Sequence, residues 1–151
     1  MTTQMERKPD GMVYPLPEPG ELMGFAEAPV GPLVMEQAIS HGLPRDALQL
    51  VAQAIWPDPA DANKLVHAIV PKSSLSRRGT LTPAQGEQTE RLARLFSYAA
   101  RVFGGVADAR DFMHRPHPEL DGRRPVDAAL SELGGRAVER VLDSLAYGLP
   151  V

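Results

Sequence analysis

The feature that most limits how this chain can fold is one long apolar stripe. Leu92, Leu95, Phe96, Ala99, Val102 and Phe103 recur at three- and four-residue spacing, the repeat that puts side chains on one face of an α-helix. Both ends of that helix are written beside it. Thr82 is a good N-cap, Pro83 fits the first helical position, and Gln85 completes a capping box. Gly104 and Gly105 close the helix, because glycine takes the left-handed backbone that ends one. Roughly twenty helical residues span about 30 Å, and so long an apolar face needs other elements against it.

The remaining segments supply helices for that purpose. Residues 34–41 form a brief amphipathic stretch stopped by Gly42. Pro44 sits at the first position of the next helix, whose face is Leu48, Val51, Ala52 and Ile55, and Trp56-Pro57 ends it. Asp58 caps a further helix with Pro59 at its start and Leu65, Val66 and Ile69 on its apolar side, up to Pro71. Past the long helix, residues 106–115 run helically into Pro116, and residues 125–130 make one or two turns. A last helix carries Ala137, Val138, Val141, Leu142 and Leu145 and stops at Gly148. No segment alternates with period two over a useful length, so the expected fold is all-α.

Three regions follow from the punctuation. Six of the 15 prolines (Pro9, Pro15, Pro17, Pro19, Pro29 and Pro32) fall before Leu33. Proline removes a backbone donor and biases its predecessor toward extended conformations, so residues 1–32 read as a flexible, extended, Pro-rich arm without regular structure. Its apolar residues Tyr14, Leu16, Leu22, Met23 and Phe25 are available to dock on a partner. Residues 33–80 read as a helix-turn-helix-like region, and residues 81–151 as a C-terminal helical domain.

Charge follows the same layout. Residues 1–71 hold 4 Lys+Arg against 9 Asp+Glu, a net of −5, while residues 72–151 hold 12 against 10, a net of +2. The whole-chain charge of −3 excludes a generally basic nucleic-acid binder but leaves room for a local basic face. That face would begin after the Val70-Pro71 turn. A scaffold helix, this turn and a second short helix make a helix-turn-helix, with Lys72, Ser73, Ser74, Arg77 and Arg78 as candidate phosphate and base contacts. The same residues also suit an ordinary solvated segment.

Catalysis finds no foothold. The chain has no cysteine, which removes disulfides, thiolate metal sites and Cys nucleophiles. It holds no nucleophile elbow, phosphate-cradling loop or zinc-protease helix motif, and Ser73, Ser74 and Ser76 have no evident base. His114 and His117 flank Arg115-Pro116 with Glu119 and Asp121 nearby, but Pro116 breaks the helix that would align two imidazoles on a metal. The expectation is a non-enzyme with neither metal nor cofactor. With no run of eighteen apolar residues and a polar N-terminus, it is also a cytoplasmic one without membrane insertion.

From about residue 42 onward the sequence resembles the Xre/MbcA/ParS family of bacterial type II antitoxins. The resemblance is carried by Gly42-Leu43-Pro44, Leu75-Ser76-Arg77-Arg78, Leu81-Thr82-Pro83, residues 91–95, residues 100–104 and residues 107–113. It continues through residues 117–120, Gly122-Arg123-Arg124-Pro125, Gly134-Gly135-Arg136-Ala137-Val138 and Tyr147-Gly148. Where the family usually has Trp-Leu this chain has Phe112-Met113, and where it has Pro-Asn this chain has Pro116-His117.

The resemblance implies a divergent Xre-type helix-turn-helix followed by a toxin-binding domain. It implies a cognate RES-domain toxin that consumes NAD, silenced by antitoxin bound over its active site. It further implies repression of the shared operon through operator DNA, by a homodimer or a hetero-oligomer with toxin. On that footing the apolar tail has a physical role: Tyr147, Gly148, Leu149, Pro150 and Val151 are expected to enter the partner's cleft. Arg123, Arg124 and Arg136 are expected to meet a pocket built for a charged dinucleotide. The alternative is a transcriptional regulator or scaffolding protein without a toxin partner, distinguished by whether a RES-domain reading frame lies alongside.

Overall fold

The structure, a computed structural model, describes residues 5–7, 13–26, 29–75 and 79–148. In chain order its elements are β1 (Met5–Arg7), β2 (Val13–Pro15), α1 (Pro19–Leu22), α2 (Pro32–His41), α3 (Arg45–Ile55), α4 (Pro59–Ile69) and α5 (Lys72–Leu75). They continue with α6 (Pro83–Phe103), α7 (Val106–His114), a 3-10 turn (Pro118–Leu120), α8 (Pro125–Ala128) and α9 (Glu132–Tyr147). The fold is all-α, and the two three-residue strands pair antiparallel with Glu6 opposite Tyr14. Among the described residues no helix is long and apolar enough to cross a membrane.

The proline-rich segment departs from its reading as irregular chain. It contains β2 and α1, and it buries Leu16 and Met23. The reason is positional: α1, α2, α4, α6 and α8 all begin on a proline, where a missing N–H costs nothing and the fixed φ already suits a helix. Dense proline therefore punctuates helix starts here as well as excluding helix interiors.

Two compact units emerge, one of residues 18–93 and one of residues 1–17 with 94–151. In the first, α3 packs along α4. Leu48, Val51, Ala52 and Ile55 are buried on α3, and Ala62, Leu65, Val66 and Ile69 on α4, the faces that the spacing marks. Each such Leu, Ile or Val contributes roughly 1.5–3 kcal/mol by leaving water. Asp58 caps α4 by accepting the Ala60 N–H at 2.8 Å. Pro44 is the N-cap of α3 rather than its first helical residue, with ψ 147° and its carbonyl accepting the Ala47 N–H. At α6 the capping box forms in full: Thr82 N donates to Gln85 Oε1 at 3.0 Å, and Gln85 N to Thr82 Oγ1 at 3.2 Å.

The second unit is built on the later half of α6 with α7, α8 and α9. Leu95, Phe96, Ala99 and Ala100 are buried with Met113, Leu120, Val126, Val138, Val141 and Leu142. The α6 stripe thins at its end, where Phe103 is partly exposed and meets Phe112 at a ring-centroid distance of 5.4 Å. Ser97, fully buried, donates to the Pro17 carbonyl at 2.7 Å and accepts from Arg101 Nη1 at 3.1 Å. The first of these bonds fastens the N-terminal segment to α6 within this unit, and the second holds the Ser97 hydroxyl from its own helix.

A second polar link joins α6 to α9, where Tyr98 OH donates to Asp143 Oδ1 at 2.6 Å. Burial, and then the hydrogen bond to the Asp143 carboxylate, push the Tyr98 phenol from its ordinary 10 up to about 12. The folded state thus favours the neutral phenol. The stability this lends is whole below pH 10 and is lost as pH rises from 10 through 12. In an ultraviolet titration of the folded protein, one tyrosinate transition is expected near pH 12. Asp143→Asn should move it downward, and an unmoved transition would mean that Asp143 does not act on this phenol.

Candidate functional site

The candidate residues lie in two places, one in each unit. In the C-terminal unit the chain between α7 and α8 turns tightly about His117. Its N–H donates to the Arg123 carbonyl, and its own carbonyl accepts from Leu120 N and Gly122 N. His117 Nδ1 also accepts the Glu119 N–H at 3.1 Å, so this imidazole caps the 3-10 turn. Among the described residues no three His, Asp or Glu side chains gather as a metal-ligand set.

This turn holds Arg123 exposed on the surface, with its Nε donating to the Leu120 carbonyl at 3.3 Å. Arg124 stands at the N-cap of α8 and clasps Asp127 through two bonds of 2.7 and 3.2 Å. Arg136, one turn into α9, pairs with Glu132 at 2.8 Å. Two of the three arginines expected to meet a partner therefore already hold carboxylates of their own chain. Both pairs are solvent-accessible and weak enough to exchange.

Helix α9 is seated by its first turn. Ser131 caps it by accepting the Gly134 N–H at 3.0 Å. Gly134 is buried, and a Cβ there would collide with the Ala128 backbone carbonyl, so glycine lets α8 and α9 approach this closely. At the far end Tyr147 is 72% exposed, and Gly148 takes the left-handed conformation, φ 64°. Leu145 extends the buried stripe of α9 yet stands 49% exposed. Leu149, Pro150 and Val151 lie outside the described residues.

In the 18–93 unit the candidate nucleic-acid segment is bounded on both sides. Ile69 and Val70 are buried before it. After it, Leu81 N donates to the Leu43 carbonyl at 2.7 Å, and Thr80 bridges Pro44. Gly42, φ 103°, lets Thr80 come close, since a Cβ there would strike the Thr80 side chain. Lys72 and Ser73 are exposed at the start of α5, which also contains Ser74. Arg77 and Arg78 lie outside the described residues.

Sequence reasoning passes over Leu133 and Arg140. Leu133 is 75% exposed, and Arg140 is exposed about two turns further along α9. Their spacing from Arg136 and Tyr147 is the available signal, an exposed stripe at helical period on the side away from the buried one.

The C-terminal unit also carries the comparison with known proteins. Residues 99–148 match the antitoxin Xre/MbcA/ParS C-terminal toxin-binding domain. No curated protein matches the chain.

Proposed function

Because residues 99–148 match the Xre/MbcA/ParS antitoxin toxin-binding domain family, we propose that this chain is the antitoxin of a RES-domain toxin that consumes NAD. The tail from Tyr147 onward enters the toxin's active site and blocks it. Arg123, Arg124 and Arg136 exchange their present partners for groups lining the dinucleotide pocket. The antitoxin itself is a non-catalytic cytoplasmic inhibitor, and the chemistry belongs to the toxin.

The observation that carries this reading is the domain match, because it names a toxin as the partner. The exposed Tyr147 beside a helix stop supports it, since a rigid aromatic body with a polar tip is a common interface anchor. Co-expression with the protein encoded alongside tests it directly. A RES-domain protein that co-purifies and loses its NAD turnover is the expected result. Failure to co-purify would favour a regulator or scaffold without a toxin.

We further propose that the helix-turn-helix region represses the operon, with Lys72, Ser73, Ser74, Arg77 and Arg78 against operator DNA. The protein would act there as a homodimer or in a hetero-oligomer with toxin. Replacing Arg77 and Arg78 by Ala should weaken operator binding and lower the slope of log affinity against log salt by about 2, one for each phosphate left without its arginine. Toxin binding should be spared. Unchanged operator affinity would remove this segment from the DNA interface.

A further inference from the structure

We propose that Leu133 and Arg140, which share one stripe of α9 with Arg136 and Tyr147, extend the toxin contact beyond the active site onto the body of the toxin, Arg136 and Tyr147 being the members of the stripe that face the active site. The proposal rests on the toxin reading above and adds a second contact to it.

The geometry of the helix brings these four together. They sit at positions 0, 3, 7 and 14 of a helix turning about 100° per residue, so their directions fall within roughly 60° of one another. The stripe is about 21 Å long at 1.5 Å per residue. Its opposite side is the buried one, with Gly134, Gly135, Val138, Val141 and Leu142. Leu133 and Tyr147 terminate the stripe and are its most exposed apolar groups, at 75% and 72%. The other exposed apolar groups of the matched region are otherwise explained: Phe103 lies against Phe112, and Leu145 continues the buried stripe.

Single exposed leucines are common on protein surfaces and signify little alone. Here two large apolar groups bracket two arginines on one face of a toxin-binding domain. Arg136 holds Glu132, but the Arg140 guanidinium meets no partner among the described residues. Tyrosine and arginine are among the residues that most often anchor protein interfaces. The stripe therefore calls for a partner surface with carboxylates at its middle and an apolar recess at each end.

The test uses the full chain and the RES-domain protein encoded alongside it. L133E and R140E should each weaken retention of that protein by about tenfold or more, with unchanged circular dichroism and melting. A charge reversal of the opposing toxin carboxylate should rescue R140E. Retention equal to wild type in both variants would overturn the proposal while leaving the toxin reading intact. If the wild-type chain itself retained no toxin, the reading and the face would fall together. If L133E instead converted a dimer of the free chain to a monomer without affecting retention, the face would be a self-contact and the proposal wrong.

Discussion

Gly134→Ala is expected to cost the C-terminal unit on the order of 3 kcal/mol and to lower its melting temperature by roughly 12–24 °C. The added methyl would be driven into the Ala128 carbonyl, with the Ala128 carbonyl carbon and Ser131 Oγ each only 2.8 Å from it. Most overpacking is relieved by rotating a neighbouring side chain, and that route is closed when the obstacle is backbone. Either α9 slides away from α8 or the Ser131 cap opens, and both loosen the turn that seats Arg124 and Arg136. Gly148→Ala is the matching control. Nothing lies within 4 Å of a Cβ there, so only the left-handed backbone is strained, at about 1–2 kcal/mol. A Gly134→Ala protein melting as high as Gly148→Ala would show that the close approach is not required.

On the proposed toxin reading, removing residues 147–151 is expected to do the reverse, sparing the fold and weakening inhibition. Tyr147 is largely exposed, and the only described tie beyond it is the Gly148 N–H to the Ser144 carbonyl. Stability should therefore fall by only about 1–3 kcal/mol, the size of the two helical hydrogen bonds lost with Tyr147 and Gly148. Toxin inhibition should weaken by roughly a hundredfold, as expected for an anchor residue filling a desolvated cleft. If α9 also grips the toxin body through Leu133 and Arg140, the truncated chain should still retain toxin that has regained NAD turnover. Full protection of cells by the truncated chain would refute the proposed blocking tail.

What the sequence makes legible is what acts over a few residues. Thr82 with Gln85, Asp58 with Ala60, and the Leu48 to Ile55 face all follow from helix geometry, and the structure contains each. Pro44 lies one position before its expected place, because a proline suits both the N-cap and the first turn. The bond from Ser97 to Pro17 joins residues 80 apart, and no periodicity announces such a partner. Gly134 appears in the sequence only as part of the family resemblance, and its obstacle, the Ala128 carbonyl, depends on how α8 packs on α9. On sequence alone Arg124 and Arg136 read as available charges. Their i+3 and i−4 carboxylates, Asp127 and Glu132, already engage them.

The clasp on the Pro17 carbonyl also sets an order of assembly during translation. The unit of residues 18–93 is contiguous in sequence, so a nascent chain possesses all of it before Ser97 and Arg101 are made. Pro17 belongs to the other unit, and its carbonyl must wait for its hydrogen-bond donor, the Ser97 hydroxyl. At about 5–20 residues per second, the 80 residues separating Pro17 from Ser97 take roughly 4–16 s to synthesise. Throughout that interval the Pro17 carbonyl lacks its donor, and the segment that carries Leu16 is available to chaperones or to a neighbouring nascent chain.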